Sequence, residues 1–304
     1  MLLIDLIFSR LGPLIGITLV RILSRKWAYR VGDWVVRILL RLRESSLYRA
    51  IRANQAVIRN WTYDDERLHD VVGEVLTFSA HGLVDWFATL AIPSEFKHLT
   101  CSIDEELVEE ATRSQAEGKG VIIVGAHLSN FNMLLMKIAQ QKWPVQILSY
   151  AAEEGSYQSD NIFRRKFGLE VTPISPSSLS QAYRRLKSGG FVLTGVDRPD
   201  TGSEELSFFG RATTLPIGHA RLALRTGAGI MIVAVQKTDQ ATYHVVGSGI
   251  IEPELGENEP EAARNLAQKV IAHLEKYIQE RPSEWMMFIP VWPEVLPDHA
   301  MLSN

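Results

Sequence analysis

Residues 121–132 read Val-Ile-Ile-Val-Gly-Ala-His-Leu-Ser-Asn-Phe-Asn. The first four side chains are apolar, and Gly125 closes the run, which predicts a short buried strand over Val121–Val124. The residues from 129 to 141 have helical apolar spacing. His127 therefore lies where a strand gives way to a helix, at the edge of the sheet where α/β proteins place their ligand sites.

Downstream of this unit, short apolar segments alternate with helical ones. Their alternation predicts a mainly parallel sheet flanked by helices, an α/β fold. The predicted strands are residues 145–150, 169–174, 191–195, 229–236 and 243–249, and the predicted helices are 161–167, 179–187 and 260–280. Thr213 or Thr214 is predicted to cap a further helix, with Pro216 in its first turn and Gly227 as its end.

Upstream, the first hundred residues favour helices. The predicted segments are residues 27–43, 46–59, 64–91 and 103–116, with a break at Ile92-Pro93-Ser94. Asp64, Asp65 and Glu66 are suited to the start of the third segment, because acidic side chains stabilise a helix N-terminus. We divide the chain into a helical membrane-associating segment, residues 1–60, and an α/β domain, residues 61–304.

Charge is unevenly distributed. Residues 1–60 contain eleven Lys and Arg and three acids, a net charge of +8, although the whole chain carries −3. Arginines alternate there with large aliphatic side chains, a composition suited to an anionic membrane surface. Nucleic acid is the competing partner for such charge, but no nucleic-acid motif is present. We expect a membrane partner and no nucleic acid.

The charge-free run Leu11–Val20 is shorter than the ~20 apolar residues that a bilayer-spanning helix requires. This length favours an interfacial anchor over a transmembrane segment. A helix packed on the protein's own core remains the alternative. We therefore expect a peripheral protein at the membrane surface.

Several chemistries find no support in the sequence. Cys101 is the only cysteine, so no intramolecular disulfide can form. The eight histidines are scattered and form no metal-binding motif. Gly-rich phosphate loops of nucleotide enzymes are absent. We expect neither a metal nor a resident cofactor.

His127 is the candidate for acid–base chemistry. Its unperturbed pKa lies near 6.5, which suits a group that takes a proton from an attacking hydroxyl. Asn132 is close enough in sequence to contact it if the turn between them is tight. From the residues alone, a structural histidine that bonds to backbone is an equal alternative.

Several blocks together resemble the lysophospholipid acyltransferase superfamily. The closest likeness is to its lipid A lauroyl/myristoyl and phosphatidylinositol mannoside acyltransferase branch. The resemblance extends over roughly residues 50–293 and rests on the order and spacing of the blocks. They are His127–Asn132, similar to the family's His-x-x-x-x-Asp/Glu motif; Phe163–Val171; Asp197–Gly202 with Phe208–Gly210; Thr213–Gly218 with Arg221–Ala223 and Thr226–Ala228; and Trp285 and Trp292.

The resemblance implies transfer of a fatty acyl group from acyl-CoA or acyl-carrier protein to a hydroxyl of a lipid or glycolipid, at the cytoplasmic face of the cell membrane. It implies that His127 is the general base. Guanidinium groups match phosphate oxygens, so the arginines of the matching blocks are candidates for substrate phosphates. The substrate-binding candidates are Arg164, Arg165, Asp197, Arg198, Glu205 and Gly210.

One position departs from the family pattern, because Asn132 stands where the family has Asp or Glu. An amide can accept a hydrogen bond but supplies no charge to an imidazolium. Three interpretations follow: a slow enzyme that uses Asn132, an enzyme in which Asp197 or Glu205 replaces the acid, or an inactive lipid-binding protein. A thioester hydrolase that uses water instead of a lipid acceptor is a further alternative.

Overall fold

A computed structural model of the chain describes residues 2–98, 100–152, 155–200, 203–254, 256 and 258–296. Thr201 and Gly202 of the Asp197–Gly202 block lie outside the described residues, as do residues 297–304 of the α/β segment. Within the described part, a helical N-terminal region precedes a mostly parallel, seven-stranded sheet flanked by helices. The predicted fold class is confirmed.

The N-terminal region is built on one long helix. The side chain of Asp64 caps this helix by accepting the backbone N–H of Arg67 at 2.8 Å, as the acidic cluster predicted. None of the described helices is both long enough and apolar enough to cross a membrane. The helices are α1 (Leu2–Phe8), α2 (Leu11–Ile22), α3 (Arg25–Arg41), α4 (Ser46–Ile58), α5 (Asp65–Ala91) and α6 (Pro93–Lys97).

The rest of the chain alternates strands and helices. The elements are β1 (Cys101–Ile103), α7 (Glu105–Ala116), β2 (Val121–Gly125), α8 (Asn132–Gln141), β3 (Val145–Ser149), α9 (Gly155–Lys166), β4 (Glu170–Pro173), α10 (Pro176–Lys187), β5 (Phe191–Gly195), β6 (Ser203–Phe208), β7 (Arg211–Pro216), α11 (Gly218–Thr226), β8 (Gly229–Asp239), β9 (Thr242–Gly247) and α12 (Glu259–Glu280). Short 3-10 turns follow at Pro282–Glu284 and Pro293–Val295.

The strand order in the large sheet is β1-β9-β8-β2-β5-β3-β4. The five strands from β8 to β4 run parallel, whereas β9 is antiparallel to β8 and parallel to β1. Strand β5 lies between β2 and β3, so the segments that follow β2 and β5 are neighbours in space although β3 and β4 separate them in the chain. This neighbourhood builds the site.

Both faces of the sheet are buried. Ile122 and Val124 of β2 pack into one apolar cluster together with Leu274 of α12, and Val121 packs into the opposite cluster together with Met133 of α8. Successive side chains of a strand point to opposite faces, which is why both faces of β2 need apolar residues.

The structure contradicts the predicted helix cap at Thr213 or Thr214. Both residues lie in β7, which pairs antiparallel with β6, and the helix begins only at Gly218. Phe209 and Gly210 form the turn with φ of 51° and 72°. Two positive φ values are typical of a two-residue hairpin turn. Burial alternates along β6 and β7, as expected of strands, and the prediction of a helix cap did not take this period into account. The inward-facing residues are Leu206, Phe208, Thr213 and Leu215.

Two smaller predictions were also wrong. The segment Cys101–Ile103 is an edge strand paired with β9, so the following helix begins at Glu105 and not at residue 103. Residues 129–131 do not continue a helix, because Ser129 has a φ of 52° and α8 starts at Asn132. His127 therefore lies in an irregular loop between β2 and α8.

Candidate active site

Two neighbouring strands place a histidine and an aspartate side by side. Gly125 ends β2 and pairs with Gly195, which ends β5. His127 and Asp197 each follow these glycines by two residues. Because the paired strands are parallel, equal spacing brings both side chains to the same point at the carboxyl edge of the sheet.

The carboxylate of Asp197 holds His127 at two points, the imidazole ring and the main chain. Nδ1 of His127 lies 2.7 Å from Oδ1 of Asp197, and the backbone N–H of His127 donates to Oδ2 at 2.8 Å. Nε1 of Trp285 donates to the same Oδ2 at 2.8 Å. An ionised carboxylate only accepts hydrogen bonds, so Nδ1 carries the hydrogen and Nε2 is left as a proton acceptor.

Asp197 is fully buried, whereas the His127 side chain retains 32% exposure. Burial alone raises the pKa of Asp197, but the positive charge and hydrogen bond of the imidazole and the N–H groups of Trp285 and His127 outweigh it. The net effect holds this pKa below its ordinary value, so the carboxylate stays ionised beside an accessible imidazole.

The loop that carries His127 is fixed by the segment around Trp285. Leu128 forms an antiparallel bridge with Trp285, and the N–H of Met286 donates to the carbonyl of His127 at 2.8 Å. The N–H of Ser129 donates to the carbonyl of Glu284 at 2.8 Å. These bonds hold Ser129 in its left-handed conformation and leave the imidazole little freedom.

Asn132 serves a different partner. Its Oδ1 accepts hydrogen bonds from Nε and Nη2 of Arg164, at 3.2 and 2.6 Å. Arg164 is 4% exposed, and its third bond, from Nη1, goes to Oδ1 of Asn161 at 2.5 Å. Two amides therefore hold this buried cation, and no ion pair among the described residues joins it to a carboxylate.

The negative charge nearest in sequence to Arg164 is Asp160, one turn earlier in α9. Burial raises the pKa of Asp160, against the opposing attraction of Arg164 and the hydrogen bond from Trp86. The Arg164 guanidinium also lies 5.6 Å from the centroid of the Phe131 ring, and that ring is 5.5 Å from the His127 ring in an edge-on arrangement. Arg164 thus supports the wall of the site through Phe131.

Arg198 follows Asp197 directly and is half-buried. Its guanidinium carbon stacks 4.6 Å from the centroid of the Tyr150 ring. Its Nε is buried and has no hydrogen-bond partner within the described part of the chain. A buried donor without a partner is a group that a bound anion would satisfy.

The other predicted site residues lie apart from this centre in the described contacts. Arg165 is exposed near the end of α9, and its Nε donates to the carbonyl of Val171 at 3.0 Å. Glu205 is exposed on β6 opposite Thr214. Gly210 forms the exposed hairpin turn, where its positive φ accounts for the glycine. No described bond connects these three residues to His127.

The sequence interpretation missed two contributors. Trp285 had been noted only as part of a block, not as a donor to Asp197. Gly195 was predicted only as the end of a strand, yet a side chain there would begin 3.4 Å from Cε1 of His127. The repeated pattern Gly-x-His and Gly-x-Asp after two apolar strands was the available signal.

No group of three or more His, Cys, Asp or Glu side chains in the described part of the chain has an arrangement that would hold a metal ion. The chemistry that this geometry can perform is proton transfer at Nε2 of His127, whose partner Asp197 is followed in the chain by the half-buried Arg198.

A comparison with known families decides the classification. The sequence profile described as bacterial lipid A biosynthesis acyltransferase matches residues 9–294. This chain belongs to that family. The match includes His127, Asp197 and Trp285, so the geometry described above lies within the acyltransferase region.

Two relatives found by sequence comparison are phosphatidylinositol mannoside acyltransferases. The protein from Mycobacterium tuberculosis (strain H37Rv) is 26% identical over 183 residues, which cover 58% of this chain and 56% of that protein. The one from Mycolicibacterium smegmatis is 26% identical over 190 residues, 60% of this chain and 59% of that protein. The matched region thus spans just over half of the length of these relatives.

Proposed function

We propose that the protein transfers a fatty acyl group from acyl-CoA or acyl-carrier protein to a hydroxyl of a lipid or glycolipid. The observation that carries this proposal is the pair formed by His127 and the buried carboxylate of Asp197, 2.7 Å apart. Family membership and the relatives' activity on a glycolipid favour this reaction over other proton transfers.

In the proposed reaction, Nε2 of His127 removes the proton of the acceptor hydroxyl. The oxygen attacks the thioester carbonyl, and the carbon–sulfur bond breaks as the tetrahedral intermediate collapses. The thiolate leaves with the proton from the imidazolium. Asp197 stabilises the imidazolium and fixes its tautomer without taking the proton itself.

Asp197 also bears on the alternative of an inactive lipid-binding protein. That alternative arose because Asn132 cannot supply a charge to His127. The Asp197 carboxylate supplies it, while Asn132 is engaged by Arg164. This arrangement favours an active enzyme in which Asp197 is the compensating acid.

We assign the phosphate-binding role first to Arg198, because its Nε is buried and lacks a partner. Arg164 is enclosed by amides and contributes by positioning Asn132 and Phe131. Arg165, Glu205 and Gly210 remain candidates for contacts with the donor or the acceptor.

We also propose that residues 1–60 form the membrane-associating segment and residues 61–304 the acyltransferase domain, held peripherally at the cytoplasmic face of the membrane. Exposed apolar side chains on the outer face of α2 support this, since Leu11 is 58% exposed and Ile22 is 75% exposed. The Asn54 side chain of α4 anchors the segment to the other domain by hydrogen bonds to the backbone of Met287, Ile289 and Val291, at 2.8 to 3.1 Å.

The test is thiol release from acyl-CoAs of several chain lengths, with and without a membrane lipid extract, using the wild type and His127→Ala. We expect release that needs lipid, yields an acylated lipid by mass spectrometry and is lost in His127→Ala. Equal release with and without lipid would instead indicate a hydrolase. No release under any condition, with acyl-CoA or acyl-carrier protein as donor, would indicate a binding protein.

A further inference from the structure

The outer face of α3 carries a stripe of tryptophan and arginine. Trp27, Arg30, Trp34, Arg37 and Arg41 follow one another at intervals of three and four residues, which places them on one side of a helix. All five are exposed, with Trp27 at 56% and Trp34 at 59%. The opposite side of α3 is buried, so the helix offers this stripe outward without weakening its own packing.

An open, shallow cavity adjoins this stripe. It measures about 330 Å³ and is lined by Arg37, Leu40, Arg41, Arg43 and His69. The surface that faces it is mostly apolar, from Leu40 and the aliphatic stems of the arginines, so that the exposed guanidinium groups belong to its rim. The size falls at the lower end of ordinary ligand pockets, ~300–1,000 Å³, which suits a compact charged group.

The arginines around the cavity lack carboxylate partners among the described residues. No ion pair among the described residues engages Arg37, Arg41 or Arg43. On the following helix, by contrast, Arg49 pairs with Glu44 at 2.5 Å, and Arg52 pairs with Asp65. Carboxylates therefore neutralise these arginines of α4, whereas the arginines around the cavity can pair with an external anion.

Exposed apolar side chains on another N-terminal helix favour one kind of partner. Leu11, Leu14 and Ile22 of α2 are 58%, 51% and 75% exposed, and α2 packs on α5 beside α3. A nucleic acid offers nothing to bind such aliphatic side chains, whereas a bilayer offers acyl chains to them and its headgroup layer to tryptophan. A membrane with anionic phospholipid offers a binding partner to all three kinds of side chain: acyl chains to the aliphatic residues, the headgroup layer to tryptophan and phosphate to arginine.

We propose that the outer face of α3 docks on the bilayer surface, and that the cavity lined by Arg37, Arg41 and Arg43 binds the phosphate of an anionic phospholipid headgroup. This headgroup site is separate from His127. The inference rests on the membrane association proposed for residues 1–60, but it does not require acyl transfer.

The test is co-sedimentation with vesicles of phosphatidylcholine, with and without phosphatidylglycerol. The cavity variant is Arg37→Gln/Arg41→Gln/Arg43→Gln. The matched control is Arg113→Gln/Arg184→Gln/Arg264→Gln, which removes the same charge from exposed positions on α7, α10 and α12.

Each arginine near an anionic leaflet contributes about a factor of five in affinity. We therefore expect the cavity variant to bind phosphatidylglycerol vesicles roughly 100-fold more weakly and the control to stay within about twofold, because distant charges are screened. Equal losses in the two triple variants would overturn the proposal. So would binding that does not depend on phosphatidylglycerol.

A second variant, Leu40→Trp, fills the cavity and keeps every charge. We expect the ratio of its affinities for vesicles with and without phosphatidylglycerol to fall by about tenfold, because the membrane affinity of the added tryptophan contributes to both, while its melting temperature shows that it is folded. A wild-type ratio in folded Leu40→Trp would mean that the arginines act only as general surface charge, and it would overturn the headgroup site.

The same measurement on His127→Ala separates this proposal from the proposed enzyme. We expect His127→Ala to bind vesicles like the wild type although it releases no thiol. Cavity-dependent binding by a wild type that transfers no acyl group would reject the enzyme and retain the headgroup site. Acyl transfer to lipid without cavity-dependent binding would reject the headgroup site alone.

Discussion

Nδ1 of His127 lies 2.7 Å from Oδ1 of Asp197, and the backbone N–H of the same histidine donates to Oδ2 of that carboxylate at 2.8 Å. A single side chain thereby positions both the ring and the main chain of the proposed base. The pair joins two loops that are 70 residues apart in the chain.

Asp197→Asn should lower kcat by about 10³- to 10⁴-fold, by analogy with the equivalent change in a serine-protease triad. The amide of asparagine has two possible orientations. Its NH₂ can point at Nδ1 of His127, which moves the ring hydrogen to Nε2, or it can point at the N–H groups of Trp285 and of the His127 main chain, which also donate. Either way His127 loses its charge partner. The measurement is the rate of thiol release at saturating donor, with circular dichroism as a check on folding.

Asp70→Asn is the matched control for Asp197→Asn, because Asp70 is exposed on α5 and only 3.8 Å from Arg67. It should leave kcat within about twofold, as expected of an exposed ion pair. A loss of less than about tenfold in Asp197→Asn would argue against the pair as the acid–base centre.

Asn132→Asp should stabilise the fold. Arg164 already directs Nε and Nη2 at this side chain, so a carboxylate would accept both in a bidentate ion pair with a cation that is already buried. We expect a gain of about 1–3 kcal/mol, or a melting temperature about 2–5 °C higher. Differential scanning calorimetry measures this.

The same exchange at Asn130 provides the contrast. Its Nδ2 donates to the carbonyl of Gly82 at 2.8 Å, and an aspartate would set two oxygens against each other. Asn130→Asp should therefore lower the melting temperature. If Asn132→Asp lowers it as well, the contact with Arg164 is not what determines the residue at position 132.

Arg198→Ala should raise the KM for the substrate whose phosphate it binds by about 10- to 100-fold and change kcat little, because it removes a charge-assisted contact made equally in substrate and transition state. An acyl-N-acetylcysteamine donor, which carries no phosphate, distinguishes the two possible ligands. If the effect disappears with this donor, Arg198 binds the donor; if it persists, Arg198 binds the acceptor. An unchanged KM with a lower kcat contradicts the assignment.

His219 makes stability sensitive to mild acid. Burial lowers its pKa from the ordinary 6.5 to about 4. Below pH 6.5 this histidine takes up a proton in the unfolded chain, whereas in the folded chain it does so only near pH 4. The neutral histidine therefore contributes its full stability above pH 6.5, and that contribution is lost as the pH falls from 6.5 to about 4. The loss amounts to roughly 3 kcal/mol at about 1.36 kcal/mol per unit.

His219→Leu should therefore flatten the dependence of the urea midpoint on pH between neutrality and about pH 4. The same substitution at His98, which is exposed, should leave the wild-type slope intact. A slope unchanged in His219→Leu would mean that another group governs the acid sensitivity.

Much of the parallel sheet was predictable because its strands are short apolar runs that end in glycine or polar residues. The prediction of Val121–Val124 differs from β2 by one residue, and that of Phe191–Gly195 matches β5. The edge strand Cys101–Ile103 was not predictable, since three residues carry too little periodicity and its partner β9 lies far along the chain. The hairpin of β6 and β7 was missed because Pro216 and the threonines also fit a helix start.

The site was predictable in its members but not in their pairing. His127 and Asp197 were both named from the sequence, and Asp197 was one of two acids considered for the role. The choice between Asp197 and Glu205 depends on the strand order. Asp197 follows β5, and β5 lies next to β2 because β3 pairs with the other edge of β5. Local sequence carries no information about that order. The engagement of Asn132 by Arg164 likewise depends on how α9 packs.

The pairing of Gly125 in β2 with Gly195 in β5 determines where insertions and deletions can be tolerated. Loops elsewhere can lengthen or shorten, since nothing in the His127–Asp197 distance depends on how many residues connect the two strands. The spacers Ala126 and Val196 are different: inserting or deleting one residue there would turn the imidazole or the carboxylate away from its partner. Descendants of this sequence should therefore tolerate length changes in those other loops, but length changes within these two short spacers only together with loss of activity.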